Sequence, residues 1–275
     1  MQCSLKLLFA VAAAGYASAV RTPTPTPKLL ICSDSTTANY ANGSVLQGWG
    51  YWFNNYTSLT ISNLAKNGRS TRSFIREGLW SSLLNSTSPG DFVLIEMGHN
   101  DDGDPASGTT YADRATLPGI GDDSVVVTTL DNVTETVRSF GWYLRKMIVD
   151  VKGKRATPIL SGMVNRNYWT GDTLRSTWLF ADYAKQVAKQ TGVEYIDHTN
   201  YSVALFQAMG PTVAKTYFPS DNTHTNWEGA RLNAETFVQA VKYKCYRESK
   251  LMRYINSAGK AITTPQALPC NGTHV

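Results

Sequence analysis

Residues 28–37 read KLLICSDSTT. Four apolar residues, Leu29 to Cys32, run without interruption and then give way to small hydroxyl and carboxyl side chains. So short an apolar run, closed by turn formers, reads as a strand buried on both faces, as in a parallel sheet. The pattern returns at 91–97 (DFVLIEM), 157–162 (TPILSG) and 193–197 (VEYID), and more weakly at 59–64. Between these strands lie stretches that read as helices, at 49–59, 71–84, 131–151, 177–191 and 227–243. In the third, Val133, Val137, Phe140, Leu144, Ile148 and Val151 recur at helical spacing. The fourth stops at Gly192. Alternating strands and helices predict an α/β domain with a mostly parallel sheet covered on both faces. In such folds the loops leaving the carboxyl ends of the strands build the functional crevice.

Four short polar motifs follow strands. They are Ser33-Asp34-Ser35-Thr36-Thr37, Asn67-Gly68-Arg69-Ser70, Gly98-His99-Asn100-Asp101 and, beyond a short segment after the last strand, Asp221-Asn222-Thr223-His224. The fold would gather all four at one end of the sheet. A serine hydroxyl attacks an ester only when a base takes its proton. A neutral histidine is such a base, and a carboxylate fixes its tautomer. Asp221 and His224 are three apart, so one loop can present both to Ser35. The oxyanion then needs donors, for which the Ser35 N–H, the Gly68 N–H and the Asn100 amide are the candidates. Each residue taken alone has a plainer reading: Ser35 and Asp221 as helix caps, Gly68 and Asn100 as turn residues. Their joint placement favours chemistry. Asp34 and His99 read as structural.

This set of blocks resembles the SGNH/GDSL hydrolase superfamily, and more closely its rhamnogalacturonan acetylesterases. The likeness also includes Gly48-Trp49-Gly50, Arg72-Ser73-Phe74-Ile75-Arg76-Glu77-Gly78, Val193-Glu194-Tyr195-Ile196-Asp197-His198 and Tyr217-Phe218-Pro219, and it extends over about 28–243. Ser33 stands where the family has glycine, and 102–131 departs from it, carrying Asp102, Asp104, Asp113, Asp122 and Asp123 beside Arg114. The resemblance implies a flavodoxin-like three-layer α/β/α sandwich with a mostly parallel five-stranded sheet. It also implies Ser35 as nucleophile, His224 as base, Asp221 as its partner, Ser35, Gly68 and Asn100 as oxyanion donors, and no cofactor or metal. The expected substrate is an acetylated plant cell-wall polysaccharide. Arg69 or Arg72 would hold a galacturonate carboxylate, and Tyr168 and Trp169 would stack on sugars, whereas Trp49 and Trp52 read as core. The alternatives are an acetylesterase for xylan or other acetylated sugars, or a carbohydrate-binding protein with weakened catalysis. A lipase is disfavoured because the Gly-x-Ser-x-Gly elbow is absent. A metal hydrolase is disfavoured because His99, His198, His224 and His274 show no ligand spacing.

The ends of the chain speak to location. Residues 1–19 combine Lys6, an apolar run and Ala17-Ser18-Ala19, the pattern of a cleaved secretory signal too short to span a membrane. Residues 20–27 include TPTPTP, an extended spacer, and 28–275 form one hydrolase domain. A secreted protein permits disulfides, and Cys245 and Cys270 are expected to pair while Cys32 reads as a buried thiol. Six sequons, at Asn42, Asn55, Asn85, Asn132, Asn200 and Asn271, fit an extracellular glycoprotein. The net charge of +5 is mild, and without a Lys/Arg run it argues against nucleic acid. Neither a membrane partner nor an oligomer is expected.

Overall fold

Alternation along the first strand decides the architecture. In β1 (Lys28–Ser33), Leu30 and Cys32 pack into one hydrophobic cluster while Leu29 and Ile31 pack into another on the opposite face. Successive side chains of a strand point to opposite faces, so a strand buried on both must be apolar throughout. The computed structural model describes residues 26–242 and 249–263. After β1 come α1 (Gly50–Phe53), β2 (Thr60–Asn63), α2 (Thr71–Arg76), α3 (Leu79–Ser86), β3 (Phe92–Glu96), β4 (Ser124–Thr128), β5 (Thr134–Arg138) and α4 (Phe140–Gly153). They are followed by β6 (Thr157–Ser161), β7 (Trp169–Thr170), β8 (Thr173–Leu174), α5 (Leu179–Thr191), β9 (Glu194–Ile196), α6 (His198–Lys215), α7 (Trp227–Lys242) and α8 (Ser257–Ala261).

The central sheet has the order β2-β1-β3-β6-β9, and every pairing in it is parallel. One face packs on Phe74, Leu83, Phe140, Leu144, Ile148 and Phe180, from α2 to α5. The other packs on Trp49, Phe53, Phe237, Val238 and Val241, around α1 and α7. This is the expected three-layer α/β/α sandwich with five parallel strands. The chain order reverses beside β1, which has β2 on one side and β3 on the other. The crevice beyond the carboxyl ends of β1 and β3 is the position where such sheets bind ligands.

Four expectations change. The helix expected over 131–151 begins only at Phe140, capped by Ser139 Oγ accepting from Trp142 N at 3.1 Å. Residues 134–138 are instead a strand of the β4–β5 hairpin. Thr134, Thr136 and Val137 are β-branched and favour a strand, and the apolar spacing of Val133 and Val137 does not separate the two periods. The helix expected over 71–84 is two, broken at Gly78 with φ of +76°, a left-handed turn that glycine adopts freely. The helix expected over 49–59 is short, α1 being followed by a 3-10 turn at Asn54–Tyr56. The segment between the last strand and Asp221 is α6, with a kink at Gly210-Pro211. Cys32 is a buried free thiol, and the expected Cys245–Cys270 pair and Asn271 lie outside the described residues.

Two family-like segments without chemistry of their own meet in the core. The Glu96 carboxylate, at the end of β3, accepts from Trp49 Nε1 at 2.9 Å and Ser161 Oγ at 2.7 Å, and pairs with His198 Nδ1 at 2.9 Å. All four side chains are buried. A buried carboxylate is tolerable only when its lone pairs are filled. These bonds fix the strand ends beneath the crevice.

Candidate active site

The turn after β1 is closed by its own side chains. Asp34 Oδ1 accepts from Thr36 N and Thr36 Oγ1, both at 2.9 Å, and Asp34 O accepts from Ala38 N at 3.0 Å. Asp34 thus has the structural role expected of it. Ser33 fits without disturbance: its hydroxyl donates to Glu96 O at 2.6 Å and shares a hydrogen bond with Thr37 Oγ1 at 2.7 Å. Ser35 is held rigidly at the mouth of the sheet, 7 % exposed.

The loop before α7 supplies the partners. His224 Nδ1 donates to Asp221 Oδ2 at 2.6 Å, while Asp221 Oδ1 accepts from Thr223 N at 2.6 Å and His224 N at 2.8 Å. With the ring proton committed to Nδ1, Nε2 is the acceptor, and Ser35 Oγ donates to it at 2.8 Å. Partial burial pushes the Asp221 carboxyl up, but the hydrogen bonds from His224 and Thr223 outweigh it and hold the group below its ordinary range. Asp221 is therefore ionised across the neutral range. The loop is braced from the segment between β6 and β7 by Asn167 N, which donates to Asn222 O at 2.7 Å.

The second and third blocks follow β2 and β3, the strands on either side of β1. Gly68 has φ of +76°, a conformation open to glycine that turns the chain at the end of β2. Asn100 Nδ2 donates one hydrogen to Arg69 O at 3.1 Å, which fixes the amide plane and leaves its second N–H uncommitted. Neither the Gly68 N–H nor the Ser35 N–H meets a protein acceptor among the described residues. The turns after β1, β2 and β3, three adjacent strands, thus each carry an unspent N–H donor, the kind of group that a tetrahedral oxyanion requires. Replacing Asn100 by alanine is expected to lower kcat for ester hydrolysis by about two to three orders of magnitude with little change in KM. Initial rates decide it, and a loss below tenfold would leave the oxyanion to the two backbone donors.

Beneath Asn100, Asp101 is fully buried and accepts from Thr71 N at 3.0 Å and Thr71 Oγ1 at 2.5 Å. Its Oδ2 has no hydrogen-bond partner among the described residues, nor does that of Asp34. Burial raises Asp101 to about 7 against the Thr71 bonds, and raises Asp34 to about 6. A carboxyl raised in the folded state binds its proton more tightly there than in the unfolded chain. The cost of ionising Asp101 is thus absent below its ordinary value of 3.8 and complete above about 7. Asp101→Asn keeps an acceptor for Thr71 and removes this titration. Thermal melts should show the variant gaining stability relative to the parent between pH 4 and pH 8, and a constant difference would show that Asp101 does not titrate there.

The expected sugar contacts fare unevenly. Arg72 is 1 % exposed, donating to both Glu135 oxygens at 3.0 and 2.7 Å and to Ala112 O and Ala115 O at 2.9 Å each. It ties the β4–β5 hairpin to the 102–117 loop and is no substrate contact. Arg69 is spent on Glu77 at 2.7 Å and Asn67 O at 2.8 Å. Trp169 is half-buried, packs on the core and donates to Asn167 Oδ1 at 2.6 Å. Tyr168 is exposed, with its ring stacked 6.2 Å from Trp178. Trp49 is buried and Trp52 half-buried, both packing in the core as expected. In the acidic stretch, Asp113 is matched by Arg76 and Asp122 by Arg145. His99 lies under Arg166, whose Nε donates to His99 Nδ1 at 3.2 Å; burial first, then Arg166 and His224, hold its pKa well below the ordinary value.

One neighbour of Ser35 was not singled out in the sequence. The Tyr40 hydroxyl is within hydrogen-bonding reach of Ser35, and burial, aided by Asp34, pushes its pKa up to about 12. A tyrosine five residues past the serine carries no motif signal, because only the turn brings the two together.

Fold and site together define a carboxylic-ester hydrolase of the SGNH kind. The chain belongs to the GDSL-like lipase/acylhydrolase family, whose model matches residues 34–232. It is 35% identical over 214 residues to a rhamnogalacturonan acetylesterase of Emericella nidulans, covering 78% of this chain and 84% of that protein. It is 26% identical to a probable rhamnogalacturonan acetylesterase of Bacillus subtilis, covering 78% of this chain and 92% of the relative. Among solved structures, it resembles the YxiM protein of Bacillus subtilis with a TM-score of 0.63 at 25% identity, over 80% of this chain. The match spans 57% of that longer structure.

Proposed function

We propose that the protein is a secreted carbohydrate esterase that removes acetyl groups from rhamnogalacturonan through an acetyl-enzyme. The observation that carries the chemistry is the unbroken chain Ser35 Oγ–His224 Nε2–His224 Nδ1–Asp221 at 2.8 and 2.6 Å. Ser35 attacks the acetyl carbonyl as His224 takes its proton, and the Asp221 carboxylate stabilises the imidazolium. The oxyanion is received by the Ser35 N–H, the Gly68 N–H and the Asn100 amide. His224 returns the proton to the departing sugar hydroxyl and then activates the water that frees acetate.

Two relatives that cover most of the chain and bear the rhamnogalacturonan acetylesterase name support the choice of polysaccharide. The signal-like residues 1–19 support secretion. Asn42, Asn55, Asn85, Asn132 and Asn200 are all exposed, as glycan acceptors need to be. Acetate release from acetylated rhamnogalacturonan and acetylated xylan, measured side by side, tests the reading. Release mainly from the first is expected. Release mainly from xylan would keep the hydrolase and replace its substrate.

A further inference from the structure

Two guanidinium groups stand against the oxyanion end of the site. Arg114 Nη1 donates to Gly68 O at 3.4 Å, and its guanidinium carbon lies 4.7 Å from the centroid of the Tyr111 ring. Arg166 Nη2 donates to His99 O at 2.8 Å and Nη1 to the Tyr168 hydroxyl at 3.5 Å. One arginine leans on the turn that carries Gly68 and the other on the turn that carries Asn100. Neither forms an ion pair among the described residues, whereas Arg69, Arg72 and Arg76 are matched by Glu77, Glu135 and Asp113. Burial lowers the pKa of Arg114, and the positive charges of Arg166 and Arg69 lower it further, against Tyr111 and Asp34. Partly buried cations that repel one another and form no ion pair among the described residues are a charge the protein leaves open. An entering carboxylate relieves that repulsion, and the planar fork of a guanidinium matches a carboxylate in geometry.

We infer that Arg114 and Arg166 form a carboxylate-binding site that holds a galacturonate of the polysaccharide beside the acetyl ester presented to Ser35. The inference rests on the rhamnogalacturonan reading and assigns the acidic group of that substrate a place. It also gives the 102–131 departure a purpose. The segment brings acids into the neighbourhood, and it also delivers Arg114 to the rim of the oxyanion hole while two of those acids are neutralised by Arg76 and Arg145.

The test is the ratio of kcat/KM for acetylated rhamnogalacturonan oligosaccharides with their carboxylates intact to that for the same oligosaccharides after carboxyl reduction. For the parent protein the ratio is expected to be about ten or more. Arg114→Gln should reduce it about tenfold, through KM, and Arg166→Gln should act in the same direction, whatever the absolute rate of each variant. A second reading does not need polysaccharide turnover. Galacturonate should inhibit the parent's hydrolysis of a neutral acetyl ester more strongly than galactose does, and Arg114→Lys, which keeps the charge but loses the fork, should weaken that inhibition. Unchanged ratios and inhibition constants in the variants would overturn the site. A parent that deacetylates rhamnogalacturonan equally well with and without carboxylates would overturn the site and leave the substrate standing. If the parent fails on rhamnogalacturonan and acts on xylan, the substrate reading falls, and galacturonate inhibition then decides the carboxylate site alone.

Discussion

Replacing Ser35 by alanine is expected to lower kcat/KM for acetate release by about five to six orders of magnitude. The hydroxyl donates to His224 Nε2 at 2.8 Å and is the one hydroxyl of the turn bonded to the histidine among the described residues. The neighbouring Thr36 and Ser33 hydroxyls are spent on Asp34 and Glu96, so neither can substitute. The residual rate should be that of water attacking an ester held in an intact oxyanion site. The substitution removes one oxygen from a turn held by Asp34 and Thr36, so the melting temperature should stay within a few degrees of the parent. Rates and melts measured on one preparation check both statements. A variant that folds and retains more than a thousandth of the rate would remove Ser35 from the mechanism.

Asp221→Asn is expected to cost about three to four orders of magnitude in kcat. An asparagine can still accept from Thr223 N and His224 N through one oxygen, as Asp221 Oδ1 does. The group facing His224 Nδ1 then becomes an amide N–H. That donor drives the imidazole proton onto Nε2, which turns from acceptor to donor and cannot take the Ser35 proton. The imidazolium formed during attack also loses its carboxylate. Asp221→Ala should be slowed as well, but through a free choice of tautomer in place of an imposed one. The two variants should therefore differ in imidazole proton shifts by NMR. Equal, small losses in both would show that Asp221 only shapes the loop.

Some of this was legible in the residues alone. The apolar run Leu29–Cys32 followed by Ser-Asp-Ser specifies a strand buried on both faces and a loop at its carboxyl end. Two further strands, β2 and β3, repeat the arrangement with the loops at 67–70 and 98–101, and an Asp and a His three apart supply a base with its orienter. Local pattern carries such features because each strand and its loop are adjacent in the chain. The hairpin at 124–138 was not legible. Val133, Val137 and Phe140 satisfy a helical spacing, while what makes 134–138 a strand is pairing with 124–128. Arg72 shows the same limit. In sequence it is an arginine beside the glycine block, free to reach a substrate. In the fold it is buried on Glu135, 63 positions away.

The sequence by itself determined the class of fold, the four loops and the residue types that carry the chemistry, since these depend on periodicity and on neighbours within a few positions. The tertiary structure alone decided which arginines are free. Arg69 and Arg72 look available in the chain and are consumed by Glu77 and Glu135, whereas Arg114, set among acids in the chain, and Arg166 form no ion pair among the described residues. An ion pair belongs to whichever opposite charge the fold brings within about 4 Å. That distance is set by the packing of segments far apart in the chain.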